Sequence, residues 1–202
     1  NARKRNKEGD SAKTFSMDDE EIYGPFVYEL PFAKAADAGI ICNYKVFISV
    51  ISTGDVNREI LQRGETWIEG DMVRSLHVAN QIALTKTIEE CDASKVFTFH
   101  RTIKQAQEFS EDTHLGIANH LKEFSIAHIT GAMRVDVRKR LLESFRSSDK
   151  ALISNARCLT EGVNVPEVDM VAFMSPKRST IDIIQATGRA LRKGSNKDKT
   201  VG

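Results

Sequence analysis

MVAFMSPKRSTIDIIQATGRALR, residues 170–192, couples a short apolar run without polar alternation to a loop and then to an amphipathic helix. Ser179 with Asp182 three residues on forms a capping-box pattern that satisfies free amides at a helix start. At 3.6 residues per turn, Ile183, Ile184, Thr187, Ala190 and Leu191 fall on one side of that helix. Gln185, Arg189 and Arg192 fall together on the other. Most polar helix stripes are solvated surface. Two arginines and a glutamine beside Gly188, where a backbone can be approached closely, also make a compact donor array suited to phosphate oxygens.

The same unit repeats outward from this stretch. VFTF (96–99) precedes a helical segment from Thr102, and residues 126–129 precede one carrying Val137, Leu141, Leu142 and Phe145. Residues 151–154 give a further short strand. Short apolar strands separated by helices argue an α/β fold with a mainly parallel central sheet covered on both faces. In such sheets ligands bind at the carboxyl ends of the strands. The loops there carry HRT, TG, ARCLTEG and SPKRS, concentrating the basic, hydroxyl and glycine residues at one edge.

Toward the amino terminus the pattern is less regular. A helix is expected over residues 71–90, with Met72, Leu76, Ala79 and Ala83 as its buried face. Residues 44–51, rich in Val, Ile and Phe, read as a strand. Pro31 opens a brief helix that Gly39 can close. Residues 53–69 suggest no firm structure. Residues 1–21, basic and then acidic, read as a linker or tail, with residues 22–202 as the domain proper.

Composition narrows the function class. Across 202 residues, 29 Lys plus Arg oppose 28 Asp plus Glu, a net charge of +1, which excludes a polybasic chain. The charge leans basic only locally: residues 177–199 hold seven Lys or Arg and two acids, a difference of +5. No apolar run is long enough to cross a bilayer. Cys42, Cys91 and Cys158 show no CxxC spacing and read as reduced thiols, consistent with a cytoplasmic setting. His114, His120 and His128 lack a ligand spacing, so no metal site is expected.

The motifs then become specific. QATGRALR (185–192) resembles the QxxGRxxR signature, motif VI, of superfamily 2 helicases and translocases. LTEGVNVPEVDMVAF (159–173) resembles their motif V, VFTFHRT their motif IV, and HITG followed by Arg138 the intervening block. The resemblance covers residues 23–199, and residues 17–30 resemble the connection into this domain in bacterial helicases related to restriction-enzyme motors. It implies a RecA-like three-layer αβα domain, the second motor domain of the pair. No GxxxxGK[ST] loop is present: Lys13 and Thr14 lack the preceding glycines, and Asp19 and Glu20 follow no apolar strand. The resemblance therefore implies a P-loop NTPase fold without its P-loop. An upstream RecA-like domain of the same chain would grip ATP and Mg2+, and this segment alone would be inactive.

What the family does with these positions carries over residue by residue. Arg192 would serve as the arginine finger, with Arg189 on the γ-phosphate and Gln185 ordering the attacking water or that phosphate. Gly188 and Gly162 would allow close approach to the nucleotide. Asn164 stands where many members carry Asp, so a ribose contact there would lack a charged acceptor. Thr160 and Glu161 would link motif V to nucleic-acid phosphates, and Glu161 would equally serve in a structural ion pair. His100, Arg101, Thr102, Thr130 and Gly131 would touch the nucleic-acid backbone, expected to be DNA, although His100 and Thr102 would equally cap the next helix. The alternative expectation is a stand-alone nucleic-acid-binding or regulatory module without ATPase activity.

Overall fold

The computed structural model describes residues 19–25, 27–62, 72–111, 113, 116–156, 168–177, 179–191 and 200–201. At its centre four strands, β2 (Lys95–Phe99), β3 (Ser125–Ile129), β4 (Ala151–Asn155) and β5 (Met170–Phe173), form a sheet in the order β3-β4-β2-β5. Every pairing is parallel, with Lys95 opposite Ala151, Val96 opposite Met170 and Ser125 opposite Ala151. All five residues of β2 and of β4 are buried, as unalternating strands at the middle of a covered sheet must be.

Alternate side chains feed two cores. Phe97, Phe99, Ile129 and Ile153 pack with Phe145 of α6 (Val135–Ser147) and with Ala186 and Leu191 on one face. Val96 and Leu152 pack on the other with Leu84 and Ile88 of α4 (Met72–Cys91) and Phe109 of α5 (Ile103–Ser110). Helix α7 (Thr180–Ala190) belongs to the first face. The result is the three-layer αβα arrangement that the sequence pattern implies.

Several local expectations change. Among the described side chains of α7 Ala186 is buried, as is the following Leu191, with Ile183 and Thr187 half-buried; Ile184, placed by the sequence on the apolar side, is 48% exposed, so that side is shifted toward Ala186. In α4 Leu76 is exposed and Val78, Gln81, Ile82, Leu84 and Ile88 are buried. The helix serves two clusters: Leu84 and Ile88 reach the sheet, while Val78 and Ile82 hold Val56 of α3 (Thr53–Gln62). That third helix falls where the sequence suggests none. Its start is a reciprocal cap, in which Ser52 Oγ donates to Asp55 Oδ2 at 2.8 Å and accepts from Asp55 N at 3.2 Å.

The strand expected over residues 44–51 shrinks to β1 (Asn43–Tyr44), paired in parallel with β6 (Thr200–Val201). Residues 45–50 have no regular structure, and Val46, Ile48 and Val50 are each more than three-quarters exposed. β-branched residues favour a pleated surface but do not supply the partner that a strand requires. Among the described residues the remaining helices are short: α1 (Glu20–Tyr23), α2 (Phe32–Asp37), with Pro31 at the N-cap of α2 and Gly39 at φ 67 just beyond it, and a 3-10 turn at Ile117–Asn119. Among the described residues no helix is long and apolar enough to cross a membrane.

Candidate functional site

Because all four strands run the same way, their carboxyl ends converge on one edge, and the loops of interest lie there. β2 ends in His100, whose backbone N–H donates to Asn155 O at 2.8 Å, tying the loop to the end of β4. The His100 ring is 4% exposed, lies 4.7 Å from the Phe109 ring and places Nε2 3.1 Å from Thr98 Oγ1. Burial pushes its pKa down to about 3, and the positive charges of His77, His128 and Lys177 push the same way. A buried ring that is neutral at pH 7 offers no charge to a phosphate. His100 therefore sits beneath the loop rather than on its surface.

The residues above it are accessible. Arg101 and Thr102 are exposed, and Thr102 is the N-cap of α5, its Oγ1 accepting from Gln105 N at 3.1 Å. With the oxygen so engaged, the hydroxyl proton is free to point outward. Thr130 repeats the arrangement after β3: its Oγ1 accepts from Ala132 N at 3.4 Å and its carbonyl from Met133 N at 3.1 Å. Gly131 is exposed and a methyl group there would have nothing within 4 Å. Two hydroxyl loops, each beside exposed cations, thus lie two strand spacings apart, about 9.6 Å.

Under these loops lies a buried polar layer that the sequence reading treats only as strand. Thr98, Ser154 and Asn155 are fully buried. Ser154 Oγ donates to Ala106 O, and Asn155 Nδ2 donates to Thr98 O at 3.0 Å. His128 Nδ1 donates to Ser154 O at 3.1 Å, and burial lowers the His128 pKa against that contact. Asn155 Oδ1 and His128 Nε2 are buried with no hydrogen-bond partner among the described residues. The only sequence signal of this layer is polar residues inside short apolar strands.

On α7, Gln185 is exposed and Gly188 half-buried, one turn apart on the same side of the helix. A methyl group at Gly188 would meet nothing within 4 Å, so no packing contact demands glycine there. A mid-helix glycine without a packing reason leaves open room beside an exposed amide donor. Arg189 lies one residue beyond in α7. Its side chain lies outside the described residues, as do Arg192, Thr160, Glu161, Gly162 and Asn164. Among the described residues no three His, Cys, Asp or Glu side chains group to hold a metal ion.

Comparison with known proteins fits this geometry. Residues 79–194 match the family described as the helicase conserved C-terminal domain. A "probable helicase A859L" of African swine fever virus is 29% identical over 179 residues, 88% of this chain and 19% of the relative. The chain thus spans about a fifth of the length of the viral relatives it matches. Among solved structures, a type ISP restriction-modification enzyme, LlaBIII, bound to DNA superposes with a TM-score of 0.72 at 24% identity, over 92% of this chain and 13% of that one. A putative HsdR subunit of a type I restriction enzyme from Vibrio vulnificus superposes with a TM-score of 0.62 at 17% identity, over 94% and 38%. At those identities the superpositions speak for the fold alone, which is that of a RecA-like helicase C-terminal domain.

Proposed function

The chain belongs to the helicase C-terminal domain family, and from that premise we propose that it is the second motor domain of an ATP-dependent nucleic-acid helicase or translocase. The observation that carries the reading is α7, where an exposed Gln185 and an unfilled flank at Gly188 share one helix side while Ala186 and Leu191 bury the other. That side suits a polyphosphate held against it by a separate body. An upstream RecA-like domain would provide that body, together with the P-loop and the ligands for Mg2+.

In this reading Gln185 orients the γ-phosphate or the attacking water, Arg189 binds the γ-phosphate, and Arg192 supplies the arginine finger. Phosphoryl transfer spreads negative charge over the transferring group, so a fixed guanidinium accelerates it without covalent chemistry. Gly162 and Asn164 border the nucleotide, and Thr160 and Glu161 couple motif V to the polymer. Arg101, Thr102, Thr130 and Gly131 meet phosphates along the carboxyl edge, contacts that position the polymer without reading its bases. His100 supports them from below. The track is DNA, the polymer bound in the restriction-modification structure whose fold this chain shares.

The test is ATP hydrolysis by the full-length protein with no nucleic acid, single-stranded DNA, duplex DNA or RNA, beside the 202-residue chain. Stimulation by DNA in the full-length protein and none in the chain is the expected result. Absence of hydrolysis under every condition would leave a binding or regulatory module in its place.

A further inference from the structure

One turn of α4 touches two of the loops at the carboxyl edge. His77, Asn80 and Gln81 stand at i, i+3 and i+4 and share one side of the helix. His77 meets the Phe109 ring edge-on at 6.1 Å, and the His100 ring that follows β2 packs on the same phenyl group at 4.7 Å. Gln81, fully buried, keeps Nε2 2.9 Å from His77 Nε2. Asn80 reaches elsewhere: its Nδ2 donates to Met174 O at 2.9 Å. Met174 comes directly after β5, and its own N–H donates to Phe99 O at 3.0 Å. Its side chain joins Leu84, Ile88 and Phe109 in the core on the α4 side of the sheet.

Helix α7 lies on the opposite face, with Ala186 in the core that holds Phe145. The chain therefore changes faces between Met174 and Thr180. The point it departs from is held on both sides, by β2 through the Met174 amide and by α4 through the Met174 carbonyl. We propose that Asn80 is a positioning residue, which by holding the Met174 carbonyl fixes where the chain leaves β5 and hence how α7 presents Gln185. The same turn of α4 bears, through His77 and Phe109, on the loop of His100, Arg101 and Thr102. One helical turn thus joins the edge assigned to the polymer with the helix assigned to the nucleotide. A side-chain amide bonds a carbonyl at a set length and direction, which an apolar side chain of the same size does not reproduce. The consequence for ATP turnover rests on the motor reading, whereas the link from α4 to α7 stands on the geometry.

Amide hydrogen exchange in the full-length protein reads the link itself. Asn80→Leu keeps the side-chain size and removes the donor. It should speed exchange about fivefold or more at Met174 and at Ile183, whose N–H donates to Ser179 O, with Phe97 unchanged as the folded control. Unaltered rates at Met174 and Ile183, or an equal rise at Phe97, would overturn the proposal. A double-mutant cycle in DNA-stimulated ATP hydrolysis reads the turnover. Asn80→Leu should lower kcat/KM about tenfold by itself and less than about twofold further beside Gln185→Ala, because a residue acting through Gln185 then has nothing left to position. Effects that multiply would show a general loss of structure and remove the positioning role. Absence of hydrolysis in the unaltered protein would sink the motor reading alone, and exchange would still decide the link.

Discussion

The two ends of the same strands differ in how completely their polar groups are satisfied. At the amino end Lys95, 9% exposed, directs Nζ to the carbonyls of Phe145 and Ser148 and to Arg146 O at 3.1 Å, closing the last turn of α6. Asp169 Oδ2 accepts from Ser94 Oγ at 2.6 Å, Ser94 N at 3.1 Å and Lys95 N at 2.9 Å, fastening the start of β2 to that of β5. At the carboxyl end Asn155 Oδ1 and His128 Nε2 have no described partner, His100 is held neutral, and Gly188 borders open space. One end closes the fold on itself. The other leaves two buried acceptors unmatched among the described residues and open room beside Gly188.

The contrast is broken or sharpened by substitution at either end. Arg192→Ala in the full-length protein should lower nucleic-acid-stimulated ATP hydrolysis by about 10³ to 10⁵ while the melting temperature stays put; unchanged turnover would remove the arginine-finger assignment. Lys95→Met should do the opposite, costing about 2–3 kcal/mol of stability by uncapping buried carbonyls that a charged donor satisfies. Urea unfolding of the 202-residue chain measures it, and a loss below a few tenths would show that the amino-end clamp contributes little.

The carboxyl end should carry a pH signature. The folded-state pKa of His100 lies near 3, below its ordinary 6.5, so the unfolded chain binds the proton more readily between those values. Stability contributed by neutral His100 is complete above about pH 6.5 and falls as pH drops through that value, by at most about 1.4 kcal/mol per pH unit. His128, also depressed, acts in the same direction. His100→Leu should flatten the slope of stability against pH between 6.5 and 4; an unaltered slope would place the titration elsewhere.

Gly188→Ala gives the smallest stability effect and the most diagnostic one. With nothing within 4 Å of the added methyl group, the substitution should stabilise α7 by about 0.5–1 kcal/mol through helix propensity. In the full-length protein it should raise the KM for ATP even so. A rise in stability with an unchanged KM would show that the open flank is unused.

How much of this was legible depended on how local each signal was. Strands β2, β4 and β5 could be read because buried parallel strands are apolar throughout, and α6 because Val137, Leu141 and Phe145 keep helical spacing. Helix α3 is harder to read although its Ser52 to Asp55 cap is a sequence pattern, since Gly54 and mixed charge surround an apolar stripe of only Val56, Ile60 and Leu61. The buried side of α4 was misplaced because it packs against two different clusters, which no single periodicity describes. His100 illustrates the limit at the candidate site: a histidine after a strand reads as a surface donor until Phe109, Thr98 and Asn155 are seen to enclose it.

By itself the sequence determined the layer architecture and the family, because strand and helix periods and the ordered motifs are properties of neighbouring residues. It also determined that the loops carrying the motif residues lie at one edge, which follows from parallel strands. Only the tertiary structure decided which polar groups are spent and which are free: Lys95 on a helix end, His100 as a neutral buried support, Gln185 facing outward beside the gap at Gly188. It alone revealed the bond from Asn80 to Met174 O. Hydrogen-bond satisfaction and desolvation are set by what a fold brings together from distant parts of the chain, and that pairing is written in no local pattern.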